Sequence, residues 1–103
     1  MAAPILHVNA DDVEAVVHCA RIAIEYRQKF KQDVVIDMIC YRRHGHNEGD
    51  EPMFTQPNMY KKIATHPTTR DIYARKLLRE GVLTEAEIEE QLSQFVAQLD
   101  EAF

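Results

Sequence analysis

The chain has 103 residues, 46% of them hydrophobic and 28% charged, with a formal net charge of −5. That length suits one small domain or a piece of a larger one. The acidic balance offers no basic field for nucleic acid, no apolar run approaches the roughly 20 residues of a membrane span, and no charged-then-apolar leader precedes Ile5.

Taken in order, residues 5–9 (ILHVN) read as a short strand, with Pro4 tolerable at its entry. Asp11 then offers a helix cap, with Glu14 three residues on in the capping-box arrangement. Val13, Val16, Val17, Ala20, Ala23, Ile24 and Phe30 recur at helical spacing, so residues 12–31 are expected to form a helix with an apolar face toward a sheet. Residues 34–40 (VVIDMIC) are almost continuously apolar, interrupted only by Asp37, and predict a strand covered on both faces as in parallel sheets. A helix of about 20 residues spans roughly 30 Å, long enough to return the chain past such a strand. Strand, helix and strand therefore form one βαβ crossover with parallel strands, expected to be right-handed. Cys19 in the helix and Cys40 at the strand end read as buried thiols of a reducing compartment rather than a disulfide or metal pair.

Beyond residue 57 the pattern is helical. Pro57 starts a short helix to residue 64, His66 and Pro67 break it, and Thr68 or Thr69 caps a second helix that Gly81 stops. Thr84 caps a last helix, with Glu87 completing a capping box and Ile88, Leu92, Phe95, Leu99 and Ala102 forming one stripe. The organisation expected is a βαβ unit over residues 1–57, with an active-site loop at 42–57, and a helical tail over 58–103. Two strands do not make a stable open sheet, so the chain is expected to be a piece of a larger α/β domain, with Met1 an added start.

The loop after the second strand, YRRHGHNEGDEPMFTQP, is the densest group of cationic, titratable and flexible positions. In open parallel sheets, ligands bind beyond the carboxyl ends of the strands, where this loop lies. A solvated polar loop is the bland reading of such a composition. His44, His46 and Glu48 have the look of metal ligands, but Gly45 and Gly49 leave the loop floppy and no further ligand at compact spacing supports a closed site. Anion binding fits better: Arg42, Arg43 and a histidine, with glycine-permitted backbone N–H groups, suit a phosphate or carboxylate. With no serine or cysteine in the loop, histidine would act by hydrogen bonding and proton transfer.

The strings APILHVN, DVVIDMICYRRHGHNEGDEP and MFTQPNMYKKI resemble the thiamine diphosphate-dependent first component of the 2-oxoglutarate dehydrogenase complex. The likeness covers nearly the whole chain and is strongest over residues 33–63. A more distant likeness is to the α chains of the pyruvate and branched-chain dehydrogenases, whose loop reads Tyr-Arg-x-x-Gly-His-Ser. There the serine can be phosphorylated; here Asn47 takes its place, so that control is not expected. The resemblance implies an α/β, doubly wound parallel sheet of the thiamine diphosphate-binding fold, in a homodimer that also holds Mg2+. It implies oxidative decarboxylation of 2-oxoglutarate, an oxidoreductase step of the tricarboxylic acid cycle, with the succinyl group passed to the lipoyl domain of the succinyltransferase component. The family's Gly-His histidine, near cofactor and substrate, maps onto His46 as both catalytic and cofactor-binding residue; His44 falls where the family varies. The family's Gly-Asp-Gly and asparagine positions for magnesium are expected upstream of Ala3, so these residues alone are expected to bind no cofactor and catalyse nothing. No membrane or nucleic-acid partner is expected, and a bacterial cytoplasm is preferred to the mitochondrial matrix. Two other readings stand beside this one: a non-catalytic anion-binding α/β module, and a piece that docks other subunits through its helical tail.

Overall fold

A β-branched run, a two-sided helix and a second β-branched run give the arrangement their spacing predicts. The computed structural model describes residues 3–102, so the expectation about Met1 lies outside them. In chain order the elements are β1 (Ile5–Asn9), α1 (Val13–Phe30), β2 (Val35–Ile39), α2 (Pro57–Thr65), α3 (Thr69–Arg79) and α4 (Glu85–Ala102). β1 and β2 pair in parallel, in register from Ile5 opposite Val35 to Asn9 opposite Ile39. The ladder runs one bond further at each end, Val35 N–H donating to Pro4 O and Ala10 N–H to Ile39 O, each at 3.0 Å. α1 packs against both strands. The described chain divides into two compact units, Met1–Thr69 and Arg70–Phe103.

The caps of α1 correct one expectation. Asp12, not Asp11, is the N-cap: its Oδ1 accepts the Ala15 N–H at 3.0 Å. Asp11 lies one residue too early for that bond, and its own N–H donates to Asn9 Oδ1 at 3.1 Å. At the other end Lys31 adopts a left-handed conformation with φ 55° and donates its N–H to Arg27 O, closing the last turn.

Strand residues alternate between faces, so Leu6, Val8, Ile36 and Met38 share one face and Ile5, His7, Val35, Asp37 and Ile39 the other. The first face is the covered one, because it carries the buried Val8; the rest of the buried set is Ala23 on α1 and Ile63 on α2. The expectation that β2 is covered on both faces is not met: all five of its residues are exposed, Ile39 to 64%. A two-stranded sheet leaves both outer edges open, and one helix covers one face. The stripe of α1 is likewise wider than the sheet beneath it: Val13, Val16, Ala20 and Ala23 are at least half-buried while Val17, Ile24 and Phe30 stay exposed. Cys40 is exposed and Cys19 half-buried, both free, which corrects the reading of two buried thiols; Cys40 lies just past β2, where the chain leaves the sheet. Asp37, the one polar break in the second strand, meets His7 directly across the ladder, Nδ1 to Oδ2 at 2.7 Å.

In the second unit, α3 ends where expected. Gly81 takes φ 68° and donates its N–H to Leu78 O at 3.1 Å, while Val82 N–H reaches Leu77 O at 3.0 Å. Those two bonds satisfy carbonyls that the helix end would otherwise leave free. α4 begins with the predicted capping box: Glu87 Oε2 accepts both the N–H and the hydroxyl of Thr84 at 2.8 Å, and Thr84 Oγ1 accepts the Glu87 N–H at 3.3 Å. Its stripe is only partly covered, with Ile88 and Leu92 half-buried and Phe95 and Leu99 exposed. No helix of the described residues is long and apolar enough to cross a membrane.

The Thr84 backbone N–H, and then its hydroxyl, hold the Glu87 carboxyl below its ordinary pKa. A depressed folded-state value gives stabilisation that is complete above the unfolded-chain value and is lost as pH falls through the folded one. Acidification should therefore lower the amide protection factors, measured against the intrinsic exchange rate at each pH, at Thr84 and in the first turn of α4, and Glu87→Gln should remove that acid dependence. Equal acid dependence in both proteins, followed by NMR, would contradict the assignment.

Candidate functional site

The parallel ladder puts the carboxyl ends of β1 and β2 side by side, so the segment after Asn9 and the segment after Ile39 emerge together. From the second emerges the loop of residues 41–56, and it holds itself by its own polar groups. Asn47 Oδ1 accepts the Gly49 N–H at 2.9 Å and Asn47 O accepts the Asp50 N–H at 3.2 Å, which makes a tight turn. Glu51 Oε1 accepts the Met53 N–H at 3.1 Å and Glu51 O the Phe54 N–H at 3.2 Å, making a second. The glycines therefore do not leave the loop slack. Asp50, Glu51 and Asn47 spend their oxygens on backbone N–H groups, and this sets the shape of the loop.

His46 sits in the first of these turns. Its backbone N–H donates to Asp50 Oδ2 at 3.0 Å, and its ring Nδ1 lies 2.7 Å from Arg42 Nη1. A guanidinium can only donate, so Nδ1 must accept and the ring proton stands on Nε2. Arg42 thus fixes the tautomer of His46 and makes Nε2–H the ring's donor. Arg42 Nη1 also approaches His46 O at 3.4 Å. Gly45 makes the turn possible: its φ is +80°, and a Cβ there would stand 3.2 Å from both Asp50 Cβ and Pro52 Cδ. His46 and Arg42 are exposed, as are His44 and Glu48. His44 and Glu48 do not join His46 in a cluster, and among the described residues no three His, Cys, Asp or Glu side chains converge as metal ligands.

A second group lies at the same end of the sheet. Asp11 Oδ2 is 2.8 Å from His66 Nε2, and Asp11 Oδ1 accepts the Thr69 hydroxyl at 3.1 Å. The His66 ring meets the Tyr41 ring edge-on at a centroid distance of 5.3 Å, and His66 O accepts from Arg43 Nη2 at 3.0 Å. Tyr41 OH donates to Pro67 O at 3.5 Å. An open cleft of about 390 Å3 runs among these groups, lined in part by Asn9, Asp11, Cys40, Tyr41, Arg43 and Thr69. Of this set the sequence singled out Arg43 as an anion ligand; the structure gives its guanidinium a backbone carbonyl. The sequence pattern points to Asp11 only as a cap and to His66 only as a helix breaker. One signal for Asp11 was present in the sequence: an Asp-Asp pair needs only one carboxylate for the cap and leaves the other free.

The description "Dehydrogenase E1 component" matches residues 1–103. The chain is 54% identical over 98 residues to a 2-oxoglutarate dehydrogenase E1 component of Azotobacter vinelandii, covering 95% of this chain and 10% of that protein. It is 56% identical over 98 residues to the 2-oxoglutarate dehydrogenase E1 component of Haemophilus influenzae, covering 95% of the chain and 10% of that protein. It is 57% identical over 91 residues to the mitochondrial 2-oxoglutarate dehydrogenase of Schizosaccharomyces pombe, covering 88% of the chain and 9% of that protein. The chain spans about a tenth of the length of the curated relatives it matches. With its parallel strand–helix–strand unit, its polar loop at the carboxyl end of β2 and this likeness along its length, the chain belongs to the dehydrogenase E1 component family.

Proposed function

We propose that these residues are a segment of the E1 component of a 2-oxoglutarate dehydrogenase complex. The proposed whole protein oxidatively decarboxylates 2-oxoglutarate with thiamine diphosphate and Mg2+ and passes the succinyl group to the lipoyl domain of the succinyltransferase component, working as a homodimer. One observation carries this reading: more than half the residues are identical to such components along nearly the entire chain. The domain is proposed to be a doubly wound sheet of the thiamine diphosphate-binding fold. In support, β1 and β2 present open edges, and Ile5, Val35 and Ile39 on the uncovered face ask for further elements. The relatives are bacterial and mitochondrial, and a bacterial cytoplasm is the compartment proposed.

When bound, the cofactor would supply a nucleophilic carbon and a sink for the electron pair left on the substrate's former carbonyl carbon as CO2 departs. The residues present fit its anionic end. Nε2–H of His46 is a donor of fixed tautomer and Arg42 adds positive charge beside it, while Asp50 and Glu51 are turned into backbone bonds. In this reading His46 donates a hydrogen bond to a diphosphate or substrate carboxylate oxygen and serves as a proton-transfer group. Arg42 orients the imidazole and Gly45 lets the turn close. No magnesium ligand is assigned to these residues.

Four outcomes are expected. In the full-length enzyme, His46→Ala should lower turnover of 2-oxoglutarate by about 10²–10⁴ if the ring transfers a proton, and less if it only orients a ligand. His44→Ala should stay within about twofold, as for an exposed side chain away from the chemistry; equal near-wild-type rates for both variants would remove His46 from the site. Gly45→Ala forces a Cβ into a left-handed position at a cost of about 1–2 kcal/mol, and should weaken thiamine diphosphate binding by roughly tenfold with helix content unchanged. An unaltered dissociation constant would show that the turn does not serve the cofactor. Calorimetric titration of the isolated 103-residue chain with thiamine diphosphate and magnesium should give no measurable heat of binding, because its His46 and Arg42 are exposed on one wall of a site.

A further inference from the structure

The loop that carries His46 has two ends, and only one is held by the sheet. Its near end continues from β2. Its far end passes through α2 and returns at residues 66–69, where nothing in the strand ladder can hold it. What holds it is Asp11, 55 residues earlier than His66 in the chain. One carboxylate takes both of its partners from this returning segment, His66 Nε2 at 2.8 Å and the Thr69 hydroxyl at 3.1 Å. Asp11 itself is anchored at the exit of β1 by its N–H bond to Asn9 Oδ1. The returning segment in turn grips the root of the loop: His66 O accepts from Arg43, the His66 ring lies against the Tyr41 ring, and Pro67 O accepts from Tyr41. Residues 43–66 are therefore a closed excursion, pinned where it leaves and where it returns. Arg42, which sets the tautomer of His46, stands between the two pinned residues Tyr41 and Arg43.

We propose that Asp11 is a positioning residue for His46, holding the returning segment at His66 and Thr69 so that Tyr41 and Arg43 fix the root of the loop and Arg42 meets the imidazole. Asp11 touches neither cofactor nor substrate in this assignment and acts only through the loop. The assignment rests on the function proposed above for its effect on turnover, but not for its effect on the loop. The carboxylate can only accept, so His66 Nε2 carries a proton. An asparagine at position 11 keeps both bonds: its oxygen accepts from Thr69, and its amide donates to Nε2 once the His66 ring takes its other tautomer. Alanine keeps neither.

The test is a double-mutant cycle in the full-length enzyme, with amide exchange of the loop as a second readout. Asp11→Ala should weaken thiamine diphosphate binding and lower kcat by about tenfold, the effect of one or two lost charge-assisted hydrogen bonds. Asp11→Asn should restore both to within about threefold of wild type on the same grounds. Combined with His46→Ala, Asp11→Ala should add less than about twofold, since residues that act as a unit are not additive. A full tenfold loss that persists without His46 would show that Asp11 acts elsewhere and would overturn the proposal. Should Asp11→Ala fail to fold, Thr69→Val removes only one of the two bonds and takes its place in the cycle. Amide exchange across residues 42–56 should quicken in Asp11→Ala and not in Asp11→Asn; unchanged exchange overturns the clamp whatever the activity. If wild-type enzyme does not turn over 2-oxoglutarate, the proposed function fails while the exchange comparison still decides the role of Asp11.

Discussion

The parallel pairing of β1 and β2 is the constraint on which the rest depends. Parallel strands send both carboxyl ends to one edge of the sheet, and the register, Asn9 opposite Ile39, puts Asp11 and Tyr41 at the same level. An antiparallel pair would have separated them by the length of a strand. The crossover helix makes the parallel arrangement possible, and its N-cap decides which aspartate is left over. Because Asp12 takes the cap, the carboxylate of Asp11 is free to meet residues from the far side of the loop. One local choice at a helix end therefore reaches the geometry around His46.

The loop shows how polar side chains replace a ladder when a segment leaves a sheet. Each of its turns is closed by an Asn, Asp or Glu oxygen accepting a backbone N–H within four residues. Such bonds are local and individually modest, about 0.5–1.5 kcal/mol each. Together they engage Asp50 and Glu51, while Glu48 stays exposed beside Arg42, His44 and His46. Asn47, at the place where more distant relatives carry a phosphorylatable serine in the resemblance noted above, has a structural use here as the first of these acceptors.

Much of this was legible in the sequence because it depends on near neighbours. The spacing of apolar residues marks both strands and α1, Pro57 marks the start of α2, and Gly81 and the Thr84–Glu87 pair mark the boundary between α3 and α4. Two misreadings have physical causes. Adjacent aspartates are interchangeable as caps by composition, and only the observed turn decides in favour of Asp12. The apolar run of β2 records a strand suited to cover on both faces, whereas within these residues α1 covers only one. The clamp between Asp11, His66 and Thr69 was not legible at all, because it joins residues more than fifty positions apart through a fold that local patterns do not encode. The same holds for the pairing of His7 with Asp37, which follows only once the register is known.

The role proposed for the carboxyl end of β2 is to present a histidine of fixed tautomer, His46, to an anionic cofactor. The most direct measurement is 15N NMR of the two ring nitrogens of His46 in the full-length enzyme, recorded before and after thiamine diphosphate and magnesium are added. In the free enzyme His46 should carry its proton on Nε2, with Nδ1 accepting from Arg42, and the cofactor should shift the Nε2 resonance while that of His44 stays in place. A proton on Nδ1, or a His46 spectrum indifferent to the cofactor, would contradict it.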